Sequence, residues 1–182
     1  MAKKLSTQEM HRLSVEEFRE SRKLPLVVVL DNVRSMNNIG SVFRTSDAFR
    51  VAQIVLCGIT ATPPHRDIHK TALGAEDAVS WQYENDTLQC VHQLQEQGYT
   101  VYAVEQAQQS TMLNGLELPE GARIAIVFGN EVDGVQQEVV DACHGCIEIP
   151  QQGTKHSLNV SCAAAIVLWE MYNKLQQCLQ TV

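Results

Sequence analysis

The feature that most constrains the fold is a set of short, continuous apolar runs, each followed by polar or glycine-containing sequence. The runs lie at residues 26–30, 52–57, 99–104, 124–128 and 146–149. Continuous apolar runs of about four to eight residues are typical of strands buried on both faces. Residues 39–49 and 87–97 lie between such runs and have helical spacing of apolar side chains. This alternation predicts an α/β fold with a mainly parallel sheet.

Three more segments complete the predicted elements. Residues 135–142 are predicted to form a short helix, and residues 158–177 a long C-terminal helix that begins at Ser157 or Asn159. Residues 60–80 contain two consecutive prolines and a glycine, and are predicted to be a loop.

The N-terminal residues are polar and basic. Ser14 and Glu17 have the spacing of a capping box, which predicts a short helix there. Pro25 is expected to end this segment. We therefore divide the chain into a basic extension, residues 1–24, and a single domain, residues 25–182.

Composition and charge narrow the class of protein. Of the 182 residues, 45% are hydrophobic, enough to build a core, and this excludes a disordered chain. The net charge is −7, yet residues 1–70 hold 11 basic and 7 acidic side chains, while the remainder holds 3 and 14. The excess permits a basic face in the first 70 residues, although solvated surface charge is an equal alternative. Without a long apolar run or a signal region, we expect a soluble cytoplasmic protein with no membrane span.

Two clusters of potential metal ligands are weak. Cys143 and Cys146 have the spacing of a zinc or redox half-site, but no second cysteine pair is present among the six cysteines. His65 and His69 share a face if their segment is helical. The alternatives there are a metal site, contact of Arg66 and Lys70 with RNA, and a solvated loop. We expect no metal.

The predicted C-terminal helix is apolar on two faces. One stripe comprises Leu158, Cys162, Ala165, Trp169 and Tyr172. The other comprises Ala164, Val167, Leu168, Met171 and Leu175. A helix apolar on most of its circumference must be covered on more than one side. We expect a partner subunit to supply one cover, the alternative being complete burial in the monomer.

The usual glycine-rich nucleotide fingerprints and the nucleophile elbow are absent. Three polar segments remain, and each follows a predicted strand: the first motif segment, residues 31–44, the second, residues 128–135, and the third, residues 149–161. In the first, Asn38 is predicted to cap a helix whose N-terminal amides suit an anion, and Arg44 leans back toward it. Each segment alone is also consistent with ordinary helix capping.

The order and spacing of the three segments are more specific than any one of them. Asn-x-Gly-x-x-x-Arg at 38–44, Gly-x-Glu-x-x-Gly at 129–134 and Ile-Pro-x-x-Gly-x-x-x-Ser-Leu-Asn-Val-Ser at 149–161 resemble the motifs of the SpoU/TrmH family. These are RNA ribose 2′-O-methyltransferases of the SPOUT superfamily. The resemblance covers residues 25–175 and implies a C-terminal trefoil knot, S-adenosylmethionine as cofactor, and a homodimer.

The resemblance also implies roles for individual residues. The cofactor contacts would be Gly129, Ile149 and Leu158, with Val104 and Glu105 as weaker candidates. The catalytic candidates are Arg44, Asn38, Glu131, Ser157 and Asn159. Arg44 would hold a phosphate and stabilise the ribose alkoxide because its guanidinium stays protonated. Asn38, Ser157 and Asn159 would orient it and the ribose, and Glu131 would either pair with Arg44 or hold a loop.

The substrate implied is RNA. The candidate contacts with its backbone are Arg22, Lys23, Arg34, Arg66 and Lys70. Family members often carry an N-terminal substrate-binding domain, and residues 1–24 are too few for one, which favours tRNA, with a D-loop guanosine as the target. The alternatives are an rRNA methyltransferase, a non-catalytic RNA-binding protein on the same fold, and a small-molecule methyltransferase.

Overall fold

A computed structural model describes residues 2–6 and 8–180, without the side chains of residues 8, 178 and 180. Its centre is a seven-stranded parallel sheet. The strands are β1 (Leu24–Asp31), β2 (Val51–Cys57), β3 (Trp81–Glu84), β4 (Thr100–Val104), β5 (Thr111–Met112), β6 (Ile124–Phe128) and β7 (Gly145–Glu148). Their order across the sheet is β3-β2-β1-β6-β4-β7-β5, and every pair is parallel. The predicted α/β class is confirmed.

Helices cover both faces of the sheet. They are α1 (Val15–Glu20), α2 (Met36–Ala48), α3 (Arg66–Ala72), α4 (Ala75–Ala78), α5 (Thr87–Glu96), α6 (Gln137–Ala142), α7 (Val160–Leu175) and α8 (Gln177–Gln180), with 3-10 turns at Gln8–Met10 and Leu113–Gly115. Alternate side chains of β1 enter two separate cores. Val28 packs with α2, α3 and α7, whereas Val27 and Val29 pack with α5 and α6. Because β1 is buried on both faces, its sequence is a continuous apolar run.

The sequence reading was wrong between residues 60 and 80. This region contains α3 and α4, with a tight turn at Leu73 (φ 54°) and Gly74 (φ 94°) between them. Both helices are short, and the two prolines and Gly74 hide their periodicity. Two edge strands, β3 and β5, were also missed. Trp81 and Tyr83 of β3 are exposed and so give no buried apolar run, and β5 has only two residues.

Two helix starts differ from the prediction, and the start of α7 agrees with one of its two predicted alternatives. Ser35, and not Asn38, caps α2, because its Oγ accepts a hydrogen bond from the Asn38 N–H (3.3 Å). At α7 the cap is Asn159, whose side chain accepts from the Ser161 N–H, so Ser157 lies before the helix. Helix α6 begins at Gln137 rather than at residue 135.

The N-terminal segment packs on the domain. The predicted capping box of Ser14 and Glu17 is present at α1. Phe18 of α1 is buried in the same core as β1 and α2, and the Arg19 guanidinium donates to the carbonyl of Asp77 (Nε 3.1 Å and Nη2 2.5 Å). Strand β1 already begins at Leu24, one residue before Pro25.

Helix α7 has two different apolar faces. The stripe comprising Ala164, Val167, Leu168, Met171 and Leu175 is buried in the core. In the other stripe, the side chains of Leu158 and Trp169 remain 39% and 53% exposed, and Ile166 beside them is 41% exposed. One face is therefore covered within the monomer, and the other lies open. Within the described ranges, no helix is long and apolar enough to cross a bilayer.

Candidate active site

The three motif segments meet at the carboxyl edge of the sheet. Strands β1 and β6 are adjacent, with Leu30 opposite Phe128, and β4 lies between β6 and β7. Because these strands are parallel, the loops that follow them emerge side by side. The loops after β4, β6 and β7 line a cavity of about 510 Å³, and the first motif segment is joined to its wall through Asn38. This volume falls in the usual range for small-molecule sites, about 300–1,000 Å³.

All five residues predicted to contact the cofactor line this cavity: Val104, Glu105, Gly129, Ile149 and Leu158. The resemblance to the SpoU/TrmH family implied these contacts, and the contacts with a cofactor remain predictions. Phe128 and Ile147 add apolar surface, while Gln106, Glu131 and Asp133 add polar groups. The wall therefore combines an apolar surface with acceptors for hydrogen bonds.

Two glycines of the second motif segment allow the wall to form. A Cβ at Gly129 would overlap the backbone of Gly134 and Val135. Gly134 has φ 71°, and a Cβ there would overlap the Glu105 carboxylate. That carboxylate accepts a hydrogen bond from the Val135 N–H (2.7 Å). Residues 129 and 134 must be glycine for the segment to turn back against β4 in this way.

Polar side chains link the three segments at the mouth of the cavity. The Asn38 amide donates to Glu131 Oε1 (3.0 Å), and Asn159 Nδ2 donates to Asn38 Oδ1 (3.1 Å). Asn159 in turn caps α7. One continuous chain of hydrogen bonds therefore contains one predicted catalytic residue from each motif segment.

Glu131 is an acceptor for the start of α2. Its carboxylate accepts from the backbone N–H groups of Arg34 (3.0 Å) and Ser35 (2.9 Å), besides the Asn38 amide. Partial burial opposes ionisation, but these hydrogen bonds outweigh it and lower the pKa of Glu131 below its ordinary value. Of the two roles left open for Glu131, holding a loop or pairing with Arg44, the contacts show the first.

Arg44 and Ser157 occupy more open positions. Arg44 is exposed on the outward face of α2, two helical turns after Asn37, and is not among the residues that line the cavity. Its guanidinium is thus available to a substrate that approaches from outside. Ser157 is exposed and lines the cavity two residues before the start of the linked chain at Asn159.

Gly40, the glycine of the first motif, brings α2 and α3 close together. A Cβ at this position would overlap the Ile68 carbonyl and the Thr71 hydroxyl. The Thr71 hydroxyl donates to the carbonyl of Asn37 in the first turn of α2 (2.9 Å). Helix α3, with its exposed cations, is thereby fixed beside the helix that carries Arg44.

Four of the five residues predicted to contact RNA are exposed, and the fifth, Lys23, is bound to backbone carbonyls. Arg34, Arg66 and Lys70 are exposed, with Lys70 paired to Asp67 (2.6 Å). Arg22 is exposed as well, whereas the Lys23 ammonium contacts the carbonyls of Phe18, Arg19 and Ser21. Burial lowers the pKa of Lys23, with Arg50 adding repulsion.

The weak metal candidates do not assemble in the structure. His65 caps α3 through an Asp67 N–H, while His69 lies against Glu76 (2.5 Å). Burial raises the pKa of Cys143 to about 12 and raises that of Cys146, which disfavours the thiolates that bind zinc. Over residues 2–6 and 8–180, no group of three or more potential ligands lies together.

Sequence reasoning missed two residues of this edge. Asp31 is completely buried and accepts four hydrogen bonds, and Asn130 donates to the Asn32 carbonyl (2.8 Å). A polar residue at the end of an otherwise apolar strand was the available signal for Asp31. Its partners lie as many as 105 positions away in sequence, so the pattern could not identify them.

Comparison with known proteins decides the family. The model of the SpoU rRNA Methylase family matches residues 25–169. The chain belongs to this family. It is 32% identical over 162 residues to the tRNA (guanosine(18)-2′-O)-methyltransferase of Thermus thermophilus, covering 89% of this chain and 81% of that protein. It is 30% identical over 162 residues to a 23S rRNA (guanosine-2′-O-)-methyltransferase of Vibrio parahaemolyticus, covering 89% and 64%.

Solved structures agree with the SpoU assignment. The A. aeolicus TrmH/SpoU tRNA modifying enzyme has a TM-score of 0.78 at 26% identity, over 90% of this chain and 81% of that one. The AdoMet-bound rRNA methyltransferase from Sinorhizobium meliloti has a TM-score of 0.76 at 26% identity, over 90% and 62%. The predicted SpoU/TrmH family and the RNA methyltransferase class are confirmed. The trefoil knot stays a prediction.

Proposed function

We propose that this SpoU-family chain transfers a methyl group from S-adenosylmethionine to a ribose 2′-hydroxyl of tRNA, with a D-loop guanosine as the favoured target. The observation that carries the proposal is the hydrogen-bonded chain of Glu131, Asn38 and Asn159 at the mouth of a cavity of cofactor size. It supports the proposal because side chains suited to orienting a ribose lie beside a cavity suited to a methyl donor.

The cavity has chemistry that fits S-adenosylmethionine. Phe128, Ile147 and Leu158 offer apolar surface for an adenine ring, and Gly129 lets the backbone come close. Acidic side chains in the wall, Glu105 among them, suit a ligand with a sulfonium and an ammonium group. When bound, the cofactor supplies an electrophilic methyl group.

The protein's own contribution is alignment and charge stabilisation. A ribose hydroxyl is a poor nucleophile, so the alkoxide that develops as it reacts needs a positive neighbour. Arg44 provides one, because a guanidinium remains protonated and donates to both phosphate and alkoxide oxygens. Asn38, Ser157 and Asn159 orient the ribose. The lowered pKa of Glu131 makes it a weak proton acceptor, and we assign it to holding the loop.

Exposed cations are proposed to hold the RNA backbone. Arg66 and Lys70 lie on α3, which Gly40 brings against α2, and Arg34 lies three residues beyond the end of β1. Arg22 and Lys23 precede β1, at the opposite edge of the sheet from Arg34, and would contact a separate part of the RNA. The Lys23 ammonium stays bound to backbone carbonyls.

The choice of tRNA rests on similarity. The chain spans about four-fifths of the Thermus thermophilus tRNA enzyme, but only 64% of the Vibrio parahaemolyticus rRNA enzyme. The second candidate is therefore rRNA methylation. We further propose a cytoplasmic homodimer, in which a second copy covers the open face of α7 at Leu158, Ile166 and Trp169.

The test is direct. Calorimetry with S-adenosylmethionine should show binding, and a labelled methyl group should be transferred to bulk tRNA lacking the modification. Nucleoside mass spectrometry of tRNA and rRNA from a deletion strain should show a missing 2′-O-methylguanosine in tRNA. A loss confined to rRNA would select the second candidate. Binding without transfer to either RNA would favour the non-catalytic alternative, and turnover without RNA a small-molecule enzyme.

A further inference from the structure

Asp31 is a buried ionisable residue that the proposed chemistry does not use. It is the last residue of β1 and is completely buried. Its Oδ1 accepts from Thr87 Oγ1 (2.6 Å), Asn32 Nδ2 (2.8 Å) and Gln136 Nε2 (3.1 Å), and its Oδ2 accepts from the Gln136 backbone N–H (3.1 Å). Every one of these partners donates, which is the arrangement that a buried carboxylate requires.

The two bonds from Gln136 connect this carboxylate to the wall of the cavity. Gln136 directly follows the second motif segment, residues 128–135, whose glycines line the cavity. The same segment is held at two further points by residues that follow Asp31. Asn130 donates to the Asn32 carbonyl, and Glu131 accepts from the Arg34 and Ser35 N–H groups. Residues 31–35 thus contact the segment near its start, at its tip and just beyond its end.

The Asp31 contact differs from the other two in its acceptor, a carboxylate that is completely buried. Glu131 is exposed, so water can replace part of its hydrogen bonding. The bonds from Gln136 to Asp31 and from Asn130 to Asn32 are both half-buried, but only the first ends on a buried carboxylate, where an acceptor without its donors is costly. The carboxyl end of the second segment is therefore tied to a buried acid of the sheet.

We infer that Asp31 is a positioning residue for the proposed methyltransferase: through Gln136 it fixes the second motif segment in the shape that accepts S-adenosylmethionine. It touches neither cofactor nor RNA, since it does not line the cavity. The expected change in cofactor affinity rests on the proposed function. The expected change in the order of residues 129–136 rests on the structure alone.

The test compares Asp31→Asn with a matched control, Thr87→Val. The asparagine keeps the size of the side chain but turns one acceptor into a donor that faces the Gln136 N–H or the Asn32 amide. The valine removes another bond to the same buried carboxylate, one that leads to α5 and not to the second segment. Asp31→Asn sets a donor against a donor, and Thr87→Val removes one of the three donors to Asp31 Oδ1, so both should lower the melting temperature.

Only Asp31→Asn should loosen the wall. Hydrogen–deuterium exchange of residues 129–136 should rise in this variant and remain at the parent level in Thr87→Val, where exchange at the start of α5 rises instead. The dissociation constant for S-adenosylmethionine should increase about tenfold in Asp31→Asn and less than twofold in Thr87→Val. Affinity for tRNA should stay unchanged in both.

A milder variant covers the case in which Asp31→Asn does not fold. Gln136→Met at this exposed position removes only the Nε2 bond and should weaken cofactor binding about threefold, with raised exchange at 129–136. The inference would be overturned if Asp31→Asn and Thr87→Val lost equal cofactor affinity in proportion to their loss of melting temperature. It would also be overturned if hydrogen exchange at residues 129–136 did not rise in the Asp31 and Gln136 variants. If the parent protein binds no S-adenosylmethionine, the proposed function fails, and the exchange data still decide the role of Asp31.

Discussion

The second and third motif segments wall the same cavity but are built differently. Residues 128–135, together with Gln136 just beyond them, are fixed by hydrogen bonds with Asp31, Asn32, Arg34, Ser35 and Glu105, and Gly129 lies in close backbone contact with Gly134. In the third segment, residues 150–159 are all exposed. Gly153, at its centre, has nothing within 4 Å of a Cβ position.

This difference divides the cavity into a preformed half and an open half. The second segment takes its shape from the sheet beneath it, because its partners are the ends of β1 and β4. The third is held at its end by Asn159 and at His156, whose carbonyl accepts from Gln106 (2.5 Å). Its shape in the working enzyme therefore depends on what covers it: cofactor, RNA or a second copy of the chain.

The largest expected effect comes from substituting one glycine in each segment, Gly129 in the second and Gly153 in the third. Gly129→Ala forces a Cβ onto the backbone of Gly134 and Val135, which no rotamer relieves. It should lower the melting temperature by about 5–10 °C and weaken S-adenosylmethionine binding by roughly 100-fold. Gly153→Ala, with open space around it, should change the melting temperature by about 1 °C at most. Calorimetry and thermal melts on both variants are the measurement. Equal effects would remove the distinction between the two halves.

The next prediction separates binding of the cofactor from transfer of the methyl group. Arg44→Ala should reduce single-turnover methyl transfer by about 10²–10³-fold, the usual cost of losing one group that stabilises developing charge. Binding of S-adenosylmethionine should remain within twofold, because Arg44 does not line the cavity. Arg44→Lys should recover only part of the rate, since an ammonium cannot donate two parallel hydrogen bonds. Transfer within threefold of the parent in Arg44→Ala would refute the assignment.

A third prediction asks what covers the open half. We expect a homodimer by light scattering at micromolar concentration. Ile166→Glu, on the open face of α7, should give a monomer of unchanged fold, and hydrogen exchange in residues 150–158 should rise. Ile59→Glu is the control, because Ile59 is 63% exposed and lies elsewhere on the molecule. A parent protein that is already monomeric would contradict the proposed cover.

A smaller effect on the melting temperature is expected for Glu131, at the tip of the second motif segment. Glu131→Gln should lower the melting temperature at neutral pH by about 2–4 °C, since three donors lose a charged acceptor. The pKa of Glu131 is lowered in the folded protein. Its stabilisation is thus complete above the ordinary glutamate pKa of about 4.3 and disappears as pH falls below it. Melts of parent and variant should converge in acid. A constant difference between pH 7 and pH 3 would show that ionisation of Glu131 is irrelevant.

The smallest effect concerns the N-terminal cations. Phe18 and Arg19 hold α1 on the domain, so removing residues 2–13 is gentler than removing the helix. This deletion takes away Lys3, Lys4 and Arg12. The slope of log affinity for tRNA against log salt should decrease by roughly 0.7–0.9 for each of these cations that neutralises a phosphate. S-adenosylmethionine affinity should not change. An unchanged slope would show that these cations are only solvated.

Most of the sheet could be predicted because its central strands are buried on both faces. Residues 26–30 and 124–128 are continuous apolar runs for this reason, and their parallel pairing follows from the helices between them. Strand β3 could not be found in this way, since Trp81 and Tyr83 face solvent at the sheet's edge. Asn38 was mistaken for the cap of α2 because Ser35 is an equally good cap three residues earlier.

The site was predictable as a set of residues but not as a set of contacts. The family resemblance that the motifs carry implied Gly129, Ile149 and Leu158, and all three line one cavity. The bond between Asn38 and Asn159 joins side chains 121 positions apart. Local pattern carries no information about such pairs. The same holds for Gln136 and Asp31, which lie 105 positions apart.

The strand order has a consequence for how the enzyme is made. Strand β6 lies between β1 and β4, and β7 between β4 and β5, so each is synthesised after both of its neighbours. A chain emerging from the ribosome therefore holds an incomplete sheet until residue 148 has been translated. Pairings between distant residues are slow to form, and unpaired strand edges invite aggregation meanwhile. The cavity, built at the ends of β4, β6 and β7, is accordingly among the last parts of the molecule to be completed.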